Sequence, residues 1–175
     1  RQRQMCIRDR ISSANSIDII RERKNKVNFS CGVSINNLSL NENDIGDFKT
    51  FLKLSPPLRT ETDRNALVQG LNDKTIDVIV SDHKPEDEEN KRLTFAQAET
   101  GASGIETLLP LSLELYHNGS VELETIIKAL TSKPAEILKI NKGNLSIGND
   151  ADFCIVDIYK PCLLYTSDAA DDVVR

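Results

Sequence analysis

From Ser13 to Lys24 the apolar positions Ala14, Ile17, Ile19 and Ile20 recur at near-helical spacing, with Ser12 or Ser13 available as a cap and charge gathering at the far end. This predicts a helix. Val27 to Ser34 alternates and is rich in β-formers, and Phe51 to Leu54 is a short extended stretch closed by Pro56-Pro57, which deny donors to a continuing ladder. Both predict strands. Asp63 to Leu71 returns to helical periodicity, and Ile76 to Val80 is a short apolar run of the kind buried in a parallel sheet. Beyond a charged loop at residues 85–92 and a turn at Gly101 to Gly104, amphipathic helices are predicted over Glu106 to Tyr116 and Val121 to Ser132. Pro134 opens a further short helix through Leu138. Residues 143–148 and 151–157 read as two short strands around a Gly-Asn-Asp turn. The alternation of helix and strand indicates an α/β chain.

At 175 residues and 39% hydrophobic content the chain has enough apolar material for a real core and reads as soluble and globular. Lys and Arg number 22 against 27 Asp and Glu, so no basic face is implied for nucleic acid or an anionic membrane. No apolar run reaches membrane-spanning length and no signal-peptide order opens the chain, which leaves a cytoplasmic expectation. Cys6, Cys31, Cys154 and Cys162 lack CxxC spacing and are expected as reduced thiols. The ends stand apart: residues 1–10 (RQRQMCIRDR) and 162–175 (CLLYTSDAADDVVR) resemble translated sequencing-adapter DNA and are set aside as non-native. A basic arm and an acidic tail are the plainer alternative.

Asp82 and His83 directly follow the last apolar run, at the strand end where α/β barrels place their chemistry. A carboxylate there can ligate a metal and move a proton, although an Asp after a strand is also an ordinary turn or cap residue. Arg59 could clamp a carboxylate or simply pack at the surface. Cys154 reads as core packing and His117 as a solvated helix end. With only His83 and His117, the chain cannot by itself hold a histidine-rich binuclear centre.

The run Lys53-Leu54-Ser55-Pro56-Pro57-Leu58-Arg59, then Asp63-Arg64, then Ile76 to Val80 followed by Ser81-Asp82-His83-Lys84-Pro85, resembles the dihydroorotases in order and spacing. Lys91, Phe95, Ala98, the stretch Gly101 to Thr107, Lys133 to Leu138, Gly143, Gly148, Ala151-Asp152 and Asp157 continue the likeness over about residues 11–158. The resemblance implies the C-terminal part of a (β/α)8 TIM-like amidohydrolase barrel at 11–140 and returning strands of a small β-sandwich at 141–161. It implies a metal-dependent cyclic amidohydrolase interconverting dihydroorotate and carbamoyl-aspartate in de novo pyrimidine biosynthesis, with two zinc ions in the intact protein. Asp82 is then the catalytic residue and a metal ligand, and Asn37, Ser55, Arg59, Glu86 and Gly101 are substrate-side positions. The family's His-x-His pair, bridging carboxylate and middle histidine lie upstream of this chain, so the chain alone is expected to be inactive and without a tight binuclear site. It departs from the pattern with Ile35-Asn36-Asn37 for Pro-His-His, Ser55 for Asn and Glu86 for His. Arg10 stands where a ligand histidine precedes the Ile-Ser-Ser run. A second reading is a silent subunit serving as structural partner of aspartate carbamoyltransferase; a third is an unrelated α/β domain.

Overall fold

A computed structural model describes residues 7–160 of the chain. Three parallel strands, β1 (Ile7–Arg8), β2 (Ser30–Ser34) and β3 (Val78–Val80), lie in the order β1-β2-β3, with Val33 opposite Ile79 and Arg8 opposite Cys31. Parallel neighbours require crossovers, and helices supply them. Helix α1 (Ala14–Lys24) joins β1 to β2; α2 (Ile35–Ser39), two 3-10 turns and α3 (Glu61–Asn72) join β2 to β3. After β3 come α4 (Glu88–Lys91), α5 (Leu108–His117), α6 (Leu123–Leu130) and α7 (Ser132–Leu138).

Helix α1 starts where expected, because the Ser13 hydroxyl accepts the Ser16 amide at 3.3 Å. It buries Ile17 and Ile20, leaves Ile19 exposed, and ends in Arg21, Arg23 and Lys24, which suit the negative end of the helix dipole. Thr60 caps α3 in the same way, and Asp63 in its first turn also accepts the Ala14 amide at 2.8 Å, so the two helix starts are tied together. The Thr60 hydroxyl also donates to Asp63 Oδ2 at 2.6 Å, and this bond first, with the Ala14 amide second, holds the Asp63 carboxyl below its ordinary value. A Cβ on Gly70 would stand 2.8 Å from Ile17 Cδ1, so α3 approaches α1 closely here and an added carbon would have to displace the end of the Ile17 side chain. Around these elements Val33, Ile35, Leu38, Leu67, Leu71, Ile79, Leu115 and Ile126 form one buried core.

Several expectations need correction. Residues 51–54 are not a strand: Leu52 and Lys53 donate to the Lys49 and Thr50 carbonyls in a 3-10 turn at Thr50–Leu52, leaving no row of donors for a neighbour. The strand predicted from Val27 begins only at Ser30, because the Val27 amide returns to Arg23 at the end of α1. Residues 143–148 and 151–157 contain no strand among the described residues; a strand needs a ladder partner, and Ile147 and Ile155 face solvent. The helix predicted from Val121 to Ser132 divides at Thr131 (φ -126°, ψ -78°) into α6 and α7. Cys154 is exposed and not in the core. Residues 7–10, set aside with the N-terminal segment, contain β1 and Arg10, which reaches the site described below. Residues 1–6 and 161–175, with Cys6 and Cys162, lie outside the described residues. No helix among the described residues is long and apolar enough to cross a membrane.

Candidate active site

The three strands point their C-terminal ends the same way, and the segments that follow them meet there: Arg10 after β1, Asn36 and Asn37 after β2, Asp82 and His83 after β3. A cavity of about 210 Å³ opens at this end, lined by Arg10, Ser55, Asp82, Lys84, Gly101 and Ala102. Three of the residues singled out from sequence, Asp82, Ser55 and Gly101, therefore share one cavity wall.

Asp82 sits in the left-handed region (φ 51°), which turns the chain sharply at the mouth of β3. Its Oδ1 accepts Arg10 Nη1 at 2.7 Å, and the same nitrogen donates to the Ser55 carbonyl at 3.1 Å. His83 Nδ1 accepts the backbone amides of Gly104 and Ile105 at 3.1 and 3.4 Å. In the neutral ring the proton then resides on Nε2, so that nitrogen offers a donor and not a lone pair.

Asn37, Arg59 and Glu86 are placed differently, since none lines this cavity. Asn37 is buried in α2 and donates from Nδ2 to the Pro57 carbonyl at 3.1 Å, bracing the proline turn behind Ser55. Arg59 is exposed and spends its Nε on the Ser12 hydroxyl. The Glu86 carboxylate pairs with Lys84 Nζ at 2.8 Å, which offsets the negative charge it would otherwise bring. Asn36, beside Asn37, has a buried Nδ2 without a partner among the described residues.

The loop that carries Gly101 is fastened by the ammonium groups of three lysines that the resemblance includes but to which sequence reading gave no role. Lys53 Nζ donates to the Ala96 and Ala98 carbonyls at 3.0 and 2.7 Å, Lys84 Nζ to Thr100 at 2.7 Å, and Lys91 Nζ to Glu99 at 2.9 Å and Thr50 at 3.3 Å. Lys91 is only 3% exposed, and burial lowers its pKa from the ordinary lysine value. In sequence Lys91 lies in a charged run that reads as a solvated loop, so nothing local signals its burial. Backbone bonds complete the fastening: the Gly101 amide donates to Lys53, and the Lys84 amide donates to Ala102.

The Amidohydrolase family profile matches residues 4–174. This chain belongs to the amidohydrolase family. It is 42% identical over 149 residues to the dihydroorotase of Ehrlichia canis (strain Jake), covering 85% of this chain and 33% of that protein. The dihydroorotase of Trichlorobacter lovleyi is 36% identical over 148 residues, covering 84% and 35%. Among solved structures, the L-hydantoinase (dihydropyrimidinase) from Arthrobacter aurescens superposes with a TM-score of 0.79 at 27% identity, over 83% of this chain and 34% of that one. The chain thus spans about a third of the length of the relatives it matches. Its parallel strands and crossover helices are part of a (β/α)8 amidohydrolase barrel, with the cavity at the strand ends where such barrels carry their sites.

Amidohydrolases are generally metal-dependent, and the donors around Asp82 in this chain do not fit a metal. Among the described residues no three His, Cys, Asp or Glu side chains converge. Asp82 already holds a guanidinium, and His83 turns its acceptor nitrogen toward backbone amides. What the arrangement does offer is one carboxylate, its side chain 14% exposed, facing a small polar cavity within reach of a proton on a bound molecule.

Proposed function

We propose that the whole protein to which this chain belongs is a dihydroorotase-like cyclic amidohydrolase. It interconverts dihydroorotate and carbamoyl-aspartate in cytoplasmic pyrimidine biosynthesis, with two zinc ions held chiefly by residues outside this chain. The observation that carries the reading is the position of Asp82: it stands at the mouth of β3, on one cavity wall with Ser55 and Gly101, in a chain 42% identical to a dihydroorotase. In this reading Asp82 takes a proton from the attacking water and delivers it to the departing ring nitrogen, while Ser55 and Gly101 border the substrate. Asn37, Arg59 and Glu86 act behind them by holding the proline turn, Ser12 and Lys84. The chain alone is inactive and binds no pair of zinc ions tightly, because one available carboxylate cannot supply the ligands that two metals need. The alternative of a silent partner for aspartate carbamoyltransferase draws no support from the comparisons.

The test is Asp82→Asn in the full-length protein, a nearly isosteric change that removes the charge and the proton acceptor. Loss of a general base costs on the order of 10²–10⁴-fold in rate. Ring opening that continues near the wild-type rate, with metal content unchanged, would show that Asp82 does not carry the chemistry.

A further inference from the structure

We propose that Arg10 acts as a built-in cation at Asp82, filling with its guanidinium the position a divalent metal would take and closing this site to metal. The inference rests on Asp82 being the carboxylate that the reading above places at the reacting centre. The Asp82 side chain is 14% exposed while that of Arg10 is 41% exposed, so the cation reaches in from the solvent side to a carboxylate that has lost most of its water. A carboxylate so placed needs a compensating charge, and among the described residues Arg10 is the one that bonds it.

The backbone supports the pairing from both sides. Arg10 and Asp82 both have positive φ, 48° and 51°, a conformation that Asp tolerates but that is rare for Arg. Arg10 is held in it by β1 on one side and by the Ile11 amide, which donates to Gly32 at 2.9 Å, on the other. The guanidinium is fixed a second time by the Ser55 carbonyl. It cannot swing away without leaving that oxygen and the carboxylate together. A metal on Asp82 Oδ1 would have to sit at roughly 2.0–2.2 Å from the same oxygen, against a like charge and, among the described residues, with no cluster of further ligating side chains beside it. Guanidinium supplies charge but no open coordination position, so the pair satisfies the carboxylate without making a metal centre.

The experiment is Mn²⁺ titration of the folded chain, followed by paramagnetic broadening of the His83 and Gly101 amide signals and by counting free Mn²⁺. The chain itself is expected to show no localised broadening. Arg10→Gly, whose glycine accepts the positive φ, is expected to bind Mn²⁺ at Asp82 with an affinity raised on the order of tenfold or more. Arg10→Lys keeps the charge and is expected to stay closed, and Arg10→Gly with Asp82→Asn is expected to lose the gain. Guanidinium chloride at low millimolar concentration should displace Mn²⁺ from Arg10→Gly, while potassium chloride of equal ionic strength should not. Equal binding by the chain and by Arg10→Gly, at any level, overturns the inference, as does a gain that survives Asp82→Asn. Should Arg10→Gly fail to fold, Arg10→Gln makes the same comparison. Failure here leaves the ring-opening test standing, because that test reads Asp82 with the upstream ligands present.

Discussion

Gly101→Ala tests how the site's mouth is held. A Cβ at Gly101 would lie 2.3 Å from the Lys84 carbonyl oxygen and 3.2 Å from Lys84 Cβ and Cδ, on a backbone with φ 147°. No rotamer change relieves a clash with a carbonyl, so residues 100–102 must move off the segment after β3. That movement breaks the bonds from the Gly101 amide to Lys53 and from the Lys84 amide to Ala102, and with them the parallel bridge between His83 and Ala102. Two net hydrogen bonds contribute about 1–3 kcal/mol, and an L side chain at this φ adds about 1–2, for a total of about 2–5 kcal/mol. Urea denaturation followed by circular dichroism reads the loss, and hydrogen exchange at Lys84 and Gly101 locates it. Gly119→Ala is the control: its φ is also positive (73°) but nothing lies within 4 Å of the added carbon, so about 1–2 kcal/mol of backbone strain is all it should cost. If Gly101→Ala costs no more than Gly119→Ala and the two amides stay protected, the backbone at Gly101 does not press against the Lys84 carbonyl.

Ile126 is fully buried in α6, and Ile126→Ala should destabilise by about 2–5 kcal/mol in the same urea assay; a cost below about 1 kcal/mol would mean that α6 does not seal the core. Burial pushes the Cys31 thiol up to about 11, and its Sγ donates to the Thr75 carbonyl at 2.9 Å. In a variant lacking Cys6 and Cys162, a thiol reagent at pH 8 should modify exposed Cys154 at once and Cys31 only on unfolding; prompt modification of both would refute the burial. The folded thiol holds its proton more tightly than the unfolded one, so this contribution to stability is complete below pH about 9 and is lost as pH rises toward 11. Denaturation midpoints should fall across that window by less in Cys31→Ala than in the parent.

Helix α1 was legible because it carries its own start signal, Ser13, ahead of an apolar stripe, and α3 from the periodicity of Asp63 to Leu71, although its cap at Thr60 lies ahead of that run. The strand before Asp82 was legible as a short apolar run of the kind buried in a parallel sheet, which put Asp82 at its C-terminal end, and the structure sets Ser55 and Gly101 on the same cavity wall. The rest depends on partners far along the chain. Phe51 and Leu52 look like strand residues, yet local i to i+3 bonds suffice for them and Phe51 stays exposed. Helix α2 is buried from Ile35 to Leu38, so it shows no polar face from which to read a period. Residues 143–157 alternate like strands, but alternation states a preference and not a partner. Arg10 belonged to a segment set aside, and only the fold brings it to a carboxylate 72 positions away.

The fastening of the 94–102 loop by Lys53, Lys84 and Lys91 has a thermal consequence. Its bonds run from ammonium groups to carbonyl dipoles, not between apolar surfaces, so little of the heat capacity of unfolding belongs to them. Apolar burial weakens on cooling, whereas charge-to-dipole bonds have no such dependence. Chilling should therefore slacken the packing around Ile17, Leu67 and Ile126 while the mouth of the cavity keeps its grip, so that the rim and the core of one small fold answer to different temperatures.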